Sequence, residues 1–303
     1  MKREKIMPEI NILITIGIPF YKDRDTLSYA IKSVQKQTWK NFELILVDDG
    51  GNDGSLEVAN KFLDDPRIRI VSDGQNKGLP KRLNELIDMA KGKYFARMDA
   101  DDIMHPHRIE KQVEYLEAHN EVDVLGTGAY SIDNKNIVLG MKKPKPSDFT
   151  VYDLFRQTAV MHPTVMAKTS WYRKHKYSTD IRSVRAEDFE LWCRSWEDTN
   201  FYNLKECLMF YREGNSIKKS IRNQILTYKN SAYIISKYGK KYVSNFVVYK
   251  LQLKYYIKIF VYIVLAKTNT MDFVFARIIG KRYLVIDENT RSVVQKELNK
   301  IIY

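Results

Sequence analysis

The stretch Tyr94-Phe95-Ala96-Arg97-Met98-Asp99-Ala100-Asp101-Asp102 decides how this chain is read. Its first half is a short apolar run with aromatic residues, the composition of a buried strand. Its second half puts three carboxylates within four residues. Their mutual repulsion costs stability unless a cation neutralises them. Oxygen ligands clustered at a strand end suit a hard divalent ion, Mg²⁺ or Mn²⁺. A second acidic strand end lies upstream, where Phe42-Glu43-Leu44-Ile45-Leu46-Val47 closes on Asp48-Asp49 and opens the turn Gly50-Gly51-Asn52-Asp53-Gly54. Two such ends in one α/β region predict a site that holds a metal and a nucleotide.

The flanking pattern supports that region. Strands are expected over 10–19, 42–47, 67–72, 94–98 and 122–125. Helices are expected over 23–37, 55–63, 79–90 and 106–118, where apolar residues such as Leu27, Ala30, Ile31 and Val34 recur at helical spacing. This β-α-β-α rhythm predicts a mostly parallel sheet flanked by helices. Ligands of such sheets sit at the carboxyl ends of the strands, where both acidic clusters fall. From about residue 131 the rhythm breaks. A helix is expected over 151–161, an extended piece over 162–166, a helix over 187–196 and a strand over 201–211. Long aromatic, basic helices follow.

The 303 residues suffice for one large domain or two smaller ones. Cys193 and Cys207 are the only cysteines. They form neither a disulfide framework nor a zinc site, which points to a reducing compartment. Lys2, Arg3 and Lys5 precede the apolar run 10–18, but Pro8, Glu9 and Asn11 interrupt it and no small-residue cleavage site follows. It reads as the first strand rather than a signal peptide. No uninterrupted apolar run is long enough for a classical membrane span.

Taken in order, several motifs resemble the family 2 glycosyltransferases of GT-A fold. They are Ile18-Pro19-Phe20-Tyr21, Ser33–Thr38, Phe42–Gly50, Asn76-Lys77-Gly78, Gly92–Asp102, and Glu187-Asp188 before Leu191-Trp192. The resemblance spans roughly residues 10–215. It implies a catalytic domain over 1–215, with a nucleotide-sugar part (10–125) and an acceptor part (126–215), and a helical, basic, amphipathic region over 216–303. It further implies inverting, metal-dependent transfer of a sugar from a nucleotide donor, most simply UDP-linked, to an acceptor hydroxyl. Bacterial surface polysaccharide synthesis is the setting the resemblance implies, and the basic C-terminal region points to a lipid-linked saccharide as acceptor.

On this resemblance Asp101 ligates Mn²⁺ or Mg²⁺, and Asp99 sits by the metal or the ribose. Asp102 acts through water or orients the loop. Pro19, Tyr21, Asp49 and Ala100 surround the nucleotide, with Tyr21 stacking on the base. Lys77 and Arg82 reach the diphosphate; a guanidinium fork matches phosphate oxygens. Asp188 is the candidate general base, taking the acceptor proton as its oxygen attacks, and Glu187 orients it or binds acceptor. Lys22 stands where Asn commonly follows the Tyr. Gly51 replaces a usual Ser, and the His often found near Tyr211–Ser216 is absent.

The net charge of +13 is concentrated, since no Asp or Glu occurs between Gly214 and Met271. Lys250, Lys254 and Lys258 recur every four residues along one face of a helix whose other face is broadly apolar. Such a helix suits an anionic membrane surface, which residues 216–270 would contact. The chain is then expected to be cytoplasmic and peripheral on the inner face of the plasma membrane. Packing of this face on the catalytic domain or on a partner subunit is the competing reading. Nucleic acid is not expected, because the apolar residues run in blocks rather than as isolated stacking platforms. Two other functions fit the acidic clusters: a metal-dependent nucleotidyltransferase, and a non-catalytic membrane-associated scaffold.

Overall fold

The computed structural model describes residues 11–145, 149–156, 159–213, 217–268 and 283–303. At its centre is β1 (Ile14–Phe20), buried along its whole length. It lies between β2 (Phe42–Asp48) and β4 (Tyr94–Arg97), both parallel to it, and β2 pairs in parallel with β3 (Ile68–Val71). A parallel strand covered on both faces has no polar side, so these strands read as continuous apolar runs. Parallel neighbours need crossovers. These are α1 (Leu27–Gln35), α2 (Ser55–Asn60) and α3 (Leu79–Met89).

The chain steps outward from β1 to β2 to β3, then returns to the far side of β1 as β4. The strand order reverses between β1 and β4, and a crevice opens there at the carboxyl ends. The parallel part ends at this point. Beyond β4 the sheet is mixed: β8 (Met166–Lys168) runs antiparallel to β4 and to β6 (Val124–Ile132). The strand β9 (Phe201–Arg212) is parallel to β6, and β5 (Ile103–Met104) is antiparallel to β9. A hairpin adds β7 (Val138–Lys142) to β6.

Some elements differ from the sequence pattern. The strand read over 122–125 continues to Ile132 through Gly126 and Gly128. A Cβ on Gly126 would lie 2.2 Å from the Asn203 side chain, so these glycines allow close strand approach rather than marking a turn. The helix read over 151–161 is only α5 (Val151–Phe155), and residues 157–158 lie outside the described residues. His162–Thr164 form a single 3-10 turn before β8. The α4 (Arg108–Ala118), α6 (Thr169–Lys174) and α7 (Glu187–Ser195) helices cover the sheet.

Two long helices, α8 (Ile217–Tyr242) and α9 (Asn245–Thr268), pack as an antiparallel pair, and α10 (Glu288–Ile302) ends the described chain. The α8 helix binds α7: the Tyr238 hydroxyl donates to Glu190 at 2.6 Å and the Tyr242 hydroxyl to the Cys193 carbonyl at 3.1 Å. On α9, Val248, Tyr255 and Tyr262 face inward. Phe246, Tyr249, Leu253, Tyr256, Ile257 and Phe260 are exposed. The three lysines expected along one helix face differ in their surroundings. Lys250 and Lys254 are exposed, whereas Lys258 is half-buried over the Tyr228 and Tyr255 rings. Among the described residues no helix is long and apolar enough to cross a membrane.

Candidate active site

The crevice at the strand reversal is a cavity of about 180 Å³ lined by Pro19, Tyr21, Asp49, Arg82, Asp99, Ala100 and Asp101. A second cavity of about 390 Å³ shares Tyr21, Asp49 and Leu79 with it and extends to Lys77 and Glu187. The fold thus gathers residues from five separate parts of the chain onto one cleft. Tyr21 is 43% exposed, with the Lys22 ammonium 5.2 Å from its ring centroid.

Asp99, Asp101 and Asp102 each offer an oxygen within 4.8 Å of the others. Burial first, and then the neighbouring Asp99, pushes the Asp101 carboxyl up to about 7. Burial and Asp101 push Asp102 well above the usual carboxylate range. Asp102 Oδ1 accepts the Arg212 main-chain N–H at 2.9 Å, and its buried Oδ2 has no hydrogen-bond partner. An oxygen-only donor set, crowded and under-neutralised, with one buried oxygen unpaired, fits a hard divalent cation.

Beneath the triad lies Arg97, fully buried, with its fork on both oxygens of Asp99. Arg108 is equally buried and donates to the Arg97 carbonyl at 3.0 Å; burial and then Arg97 hold it down at about 9. The sequence reading assigned no role to Arg97. Its clue was an arginine inside an apolar strand, which is rarely buried without a partner.

Asp49 is positioned by α3. It accepts the Lys77 N–H at 2.7 Å, the Gly78 N–H at 3.1 Å and Arg82 Nε at 2.9 Å. Asp48 serves the turn, accepting from Gly50 N–H and from the Ser72 hydroxyl. Arg82, expected to reach a diphosphate, lines the smaller cavity, with its donors engaged by protein groups. Its side chain is buried, and its fork is occupied by Asp49, Asp73, Glu85 and the Gln75 carbonyl. The Lys77 ammonium is likewise engaged by Asp73 and Glu85. Arg82 and Lys77 therefore hold Asp49 and its loop. Once Arg82 is buried among acids, the ion pair is the way its charge is compensated.

Glu187 and Asp188 open α7, where the helix dipole favours acids. Burial and then Asp188 push Glu187 up to about 7. Desolvation also raises Asp188, opposed by the Phe189 N–H and the charge of Arg97. Arg97 thus acts electrostatically on both acidic groups. His162 packs beside Trp192 with Nε2 2.8 Å from the Tyr177 hydroxyl, and burial keeps its imidazole neutral. It supports the site from within the core.

Residues 15–178 match the family model for glycosyl transferase family 2. The Bacillus subtilis (strain 168) protein EpsE, described as a glycosyltransferase, is 35% identical over 232 residues, which are 73% of this chain and 81% of EpsE. The Escherichia coli UDP-Glc:alpha-D-GlcNAc-diphosphoundecaprenol beta-1,3-glucosyltransferase WfgD is 29% identical over 188 residues, 62% of this chain and 71% of WfgD. Among solved structures, the Pyrobaculum calidifontis mannosyltransferase PcManGT, in complex with GDP-Man and Mn²⁺, superposes with a TM-score of 0.62 at 16% identity. That match covers 97% of this chain and 87% of the other. The strand reversal, the acidic triad at its crevice and the family match agree, and the chain belongs to glycosyl transferase family 2 as a glycosyltransferase of GT-A fold.

Proposed function

We propose that this chain is an inverting, metal-dependent glycosyltransferase that moves a sugar from a UDP-linked donor to a hydroxyl of a lipid-linked saccharide. The observation that carries the reading is the pair of adjoining cavities with Asp99 and Asp101 at one end and Glu187, next to Asp188, at the other. Pro19 and Tyr21 wall the base, and Asp49 faces the nucleoside. Asp101, with Asp99 and Asp102 beside it, would hold Mn²⁺ or Mg²⁺, which when bound offsets the charge that develops on the leaving diphosphate. Asp188 takes the acceptor proton from the face opposite the leaving group, and Glu187 orients the acceptor.

The relative WfgD, named for a diphosphoundecaprenol-linked substrate, supports the choice of acceptor. The exposed apolar face of α9 with Lys250 and Lys254 beside it supports a membrane-surface location, on the cytoplasmic side where nucleotide sugars are made. The setting that follows is surface polysaccharide synthesis.

The test is nucleoside diphosphate release from a panel of nucleotide sugars with Mn²⁺ or Mg²⁺, with and without EDTA, using a GlcNAc-diphospholipid acceptor. Release of UDP from one donor, lost with EDTA and in Asp101→Ala, is the expected result. Pyrophosphate release would identify a nucleotidyltransferase instead. Absence of donor binding at millimolar nucleotide would leave a scaffold. For the tail, flotation with anionic vesicles is expected and should fail in Phe260→Glu; equal flotation of the variant overturns the α9 assignment.

A further inference from the structure

We propose that α10 holds the acidic loop in metal-binding geometry through a relay of side chains, which makes Gln295, Asn136 and Arg212 positioning residues for the divalent cation. The inference rests on the acidic triad being the metal site.

The relay can be followed atom by atom. Gln295, on α10, donates from Nε2 to the Asn136 carbonyl at 3.0 Å and accepts the Val138 N–H on Oε1 at 2.9 Å. Asn136 sits in the β6–β7 turn with φ +62°, a conformation that Asn tolerates well. Its Oδ1 accepts Arg212 Nη2 at 2.7 Å. From the other end of its side chain, Arg212 Nε donates to the Asp101 carbonyl at 2.8 Å. The Arg212 main-chain N–H donates to Asp102 Oδ1. A third guanidinium donor, Nη1, reaches the Asp133 carbonyl at 2.6 Å and ties the fork to the same turn. One arginine thus grips both acidic residues, and Asn136 and Gln295 fix that arginine.

Packing runs beside the relay. Val294, Leu298, Ile301 and Ile302 of α10 share a buried cluster with Ile132, Val138, Phe210 and Ile103. Ile103 directly follows Asp102, so the helix also covers the residue that anchors the end of the loop. Leu284 pairs with Met141 at the edge of β7 and holds the hairpin that carries Asn136. Groups that orient ligands in this way set metal affinity, because each ligand is effective only at its own distance and angle.

The experiment measures Mn²⁺ alone, titrated into the full chain and followed by EPR. Wild type should bind. Arg212→Lys, which lacks the fork, and Asn136→Gly, which keeps the left-handed turn and loses only the acceptor, should each weaken Mn²⁺ binding by about tenfold. Gln295→Ala should weaken it less, and the double variant Asn136→Gly/Gln295→Ala should fall short of the product of the single effects, because both act through one arginine. Lys36→Ala is the control. It releases the far end of α10, where Lys36 Nζ donates to the Lys300 carbonyl at 2.7 Å, and should leave Mn²⁺ affinity unchanged.

Unchanged affinity in Arg212→Lys and Asn136→Gly overturns the relay, as does an equal loss in Lys36→Ala, which would signal general loosening. Should Arg212→Lys fail to fold, Asn136→Gly decides alone. A wild-type chain that does not bind Mn²⁺ sinks the underlying metal reading instead, so the two failures are distinct.

Discussion

Lys22 and Gly51 are the two positions where the β1 and β2 turns depart from the family's motif, and they touch. Lys22 has φ +61°, a conformation in which Asn is favoured over most residues. A Cβ on Gly51 would lie 2.7 Å from the Lys22 nitrogen. The absence of a side chain at 51 thus lets Lys22 keep its backbone. Gly51→Ser should destabilise the chain by about 1–3 kcal/mol in urea unfolding, since backbone on one side cannot give way; an unchanged midpoint refutes the contact argument. Glu187 makes a second prediction. Its folded-state pKa of about 7 lies above the ordinary 4.5. The fold favours the neutral acid, so the stability this confers is complete below about pH 4.5 and is lost as pH rises through 7. Glu187→Gln should therefore raise the melting temperature at pH 8.5 by the equivalent of about 2–3 kcal/mol and leave it nearly unchanged at pH 4.5. The sequence placed Asp49, Asp99, Asp101 and Glu187 near a cleft because acids at strand ends and helix starts are locally visible. It could not show that Arg82 points at acids rather than phosphates. That depends on Asp73 and Glu85 folding against it.

Among the elements, α3 carries a weight out of proportion to its length. Its Arg82 is the buried pin of Asp49, and the loop before it supplies the N–H groups that fix the carboxylate. Arg82→Met keeps volume and removes the charge. It should cost roughly 3 kcal/mol, because Asp49 is left buried without its partner, and should abolish UDP binding. Retained UDP affinity in calorimetry would separate Asp49 from the nucleotide. The elements of the first half were legible because parallel strands and amphipathic helices alternate with clear periods. The β6 strand runs on past residue 125 through Gly126 and Gly128, whose purpose appears only against Asn203 and Cys207. On α9 the lysine spacing was correct, but the pattern alone did not show that Lys258 lies against tyrosine rings.

At the scale of the molecule, the strand reversal between β1 and β4 fixes where the candidate site lies, and the second half of the chain brings Glu187 to it from α7 and Arg212 from β9. If the triad holds the proposed cation, cation and fold are linked. Asp101 and Asp102 are held above their ordinary range while no metal compensates them. Protons compete with the ion for the same oxygens. Mn²⁺ should raise the melting temperature by several degrees at pH 8 and by much less at pH 5.5, an effect reversed by EDTA. Equal shifts at both pH values would place the ion elsewhere. The α8–α10 region read from sequence as an extension for one task, the membrane. Packing on the catalytic domain was its competing reading, but which elements it meets, α7, α1 and β7, is set by contacts between residues far apart in the chain.

The cluster that joins Ile103 to Val294 and Leu298 also sets an order of events during synthesis. The strands and helices up to α3 and β4 can pair as they leave the ribosome, because their partners are already made. The acidic loop cannot settle in the same way, since the helix that covers Ile103 and reaches Arg212 through Asn136 follows it far downstream in the chain. A nascent chain should thus acquire its nucleotide wall before the proposed cation site is complete, and the transfer proposed for it would wait until α10 has been made and has docked.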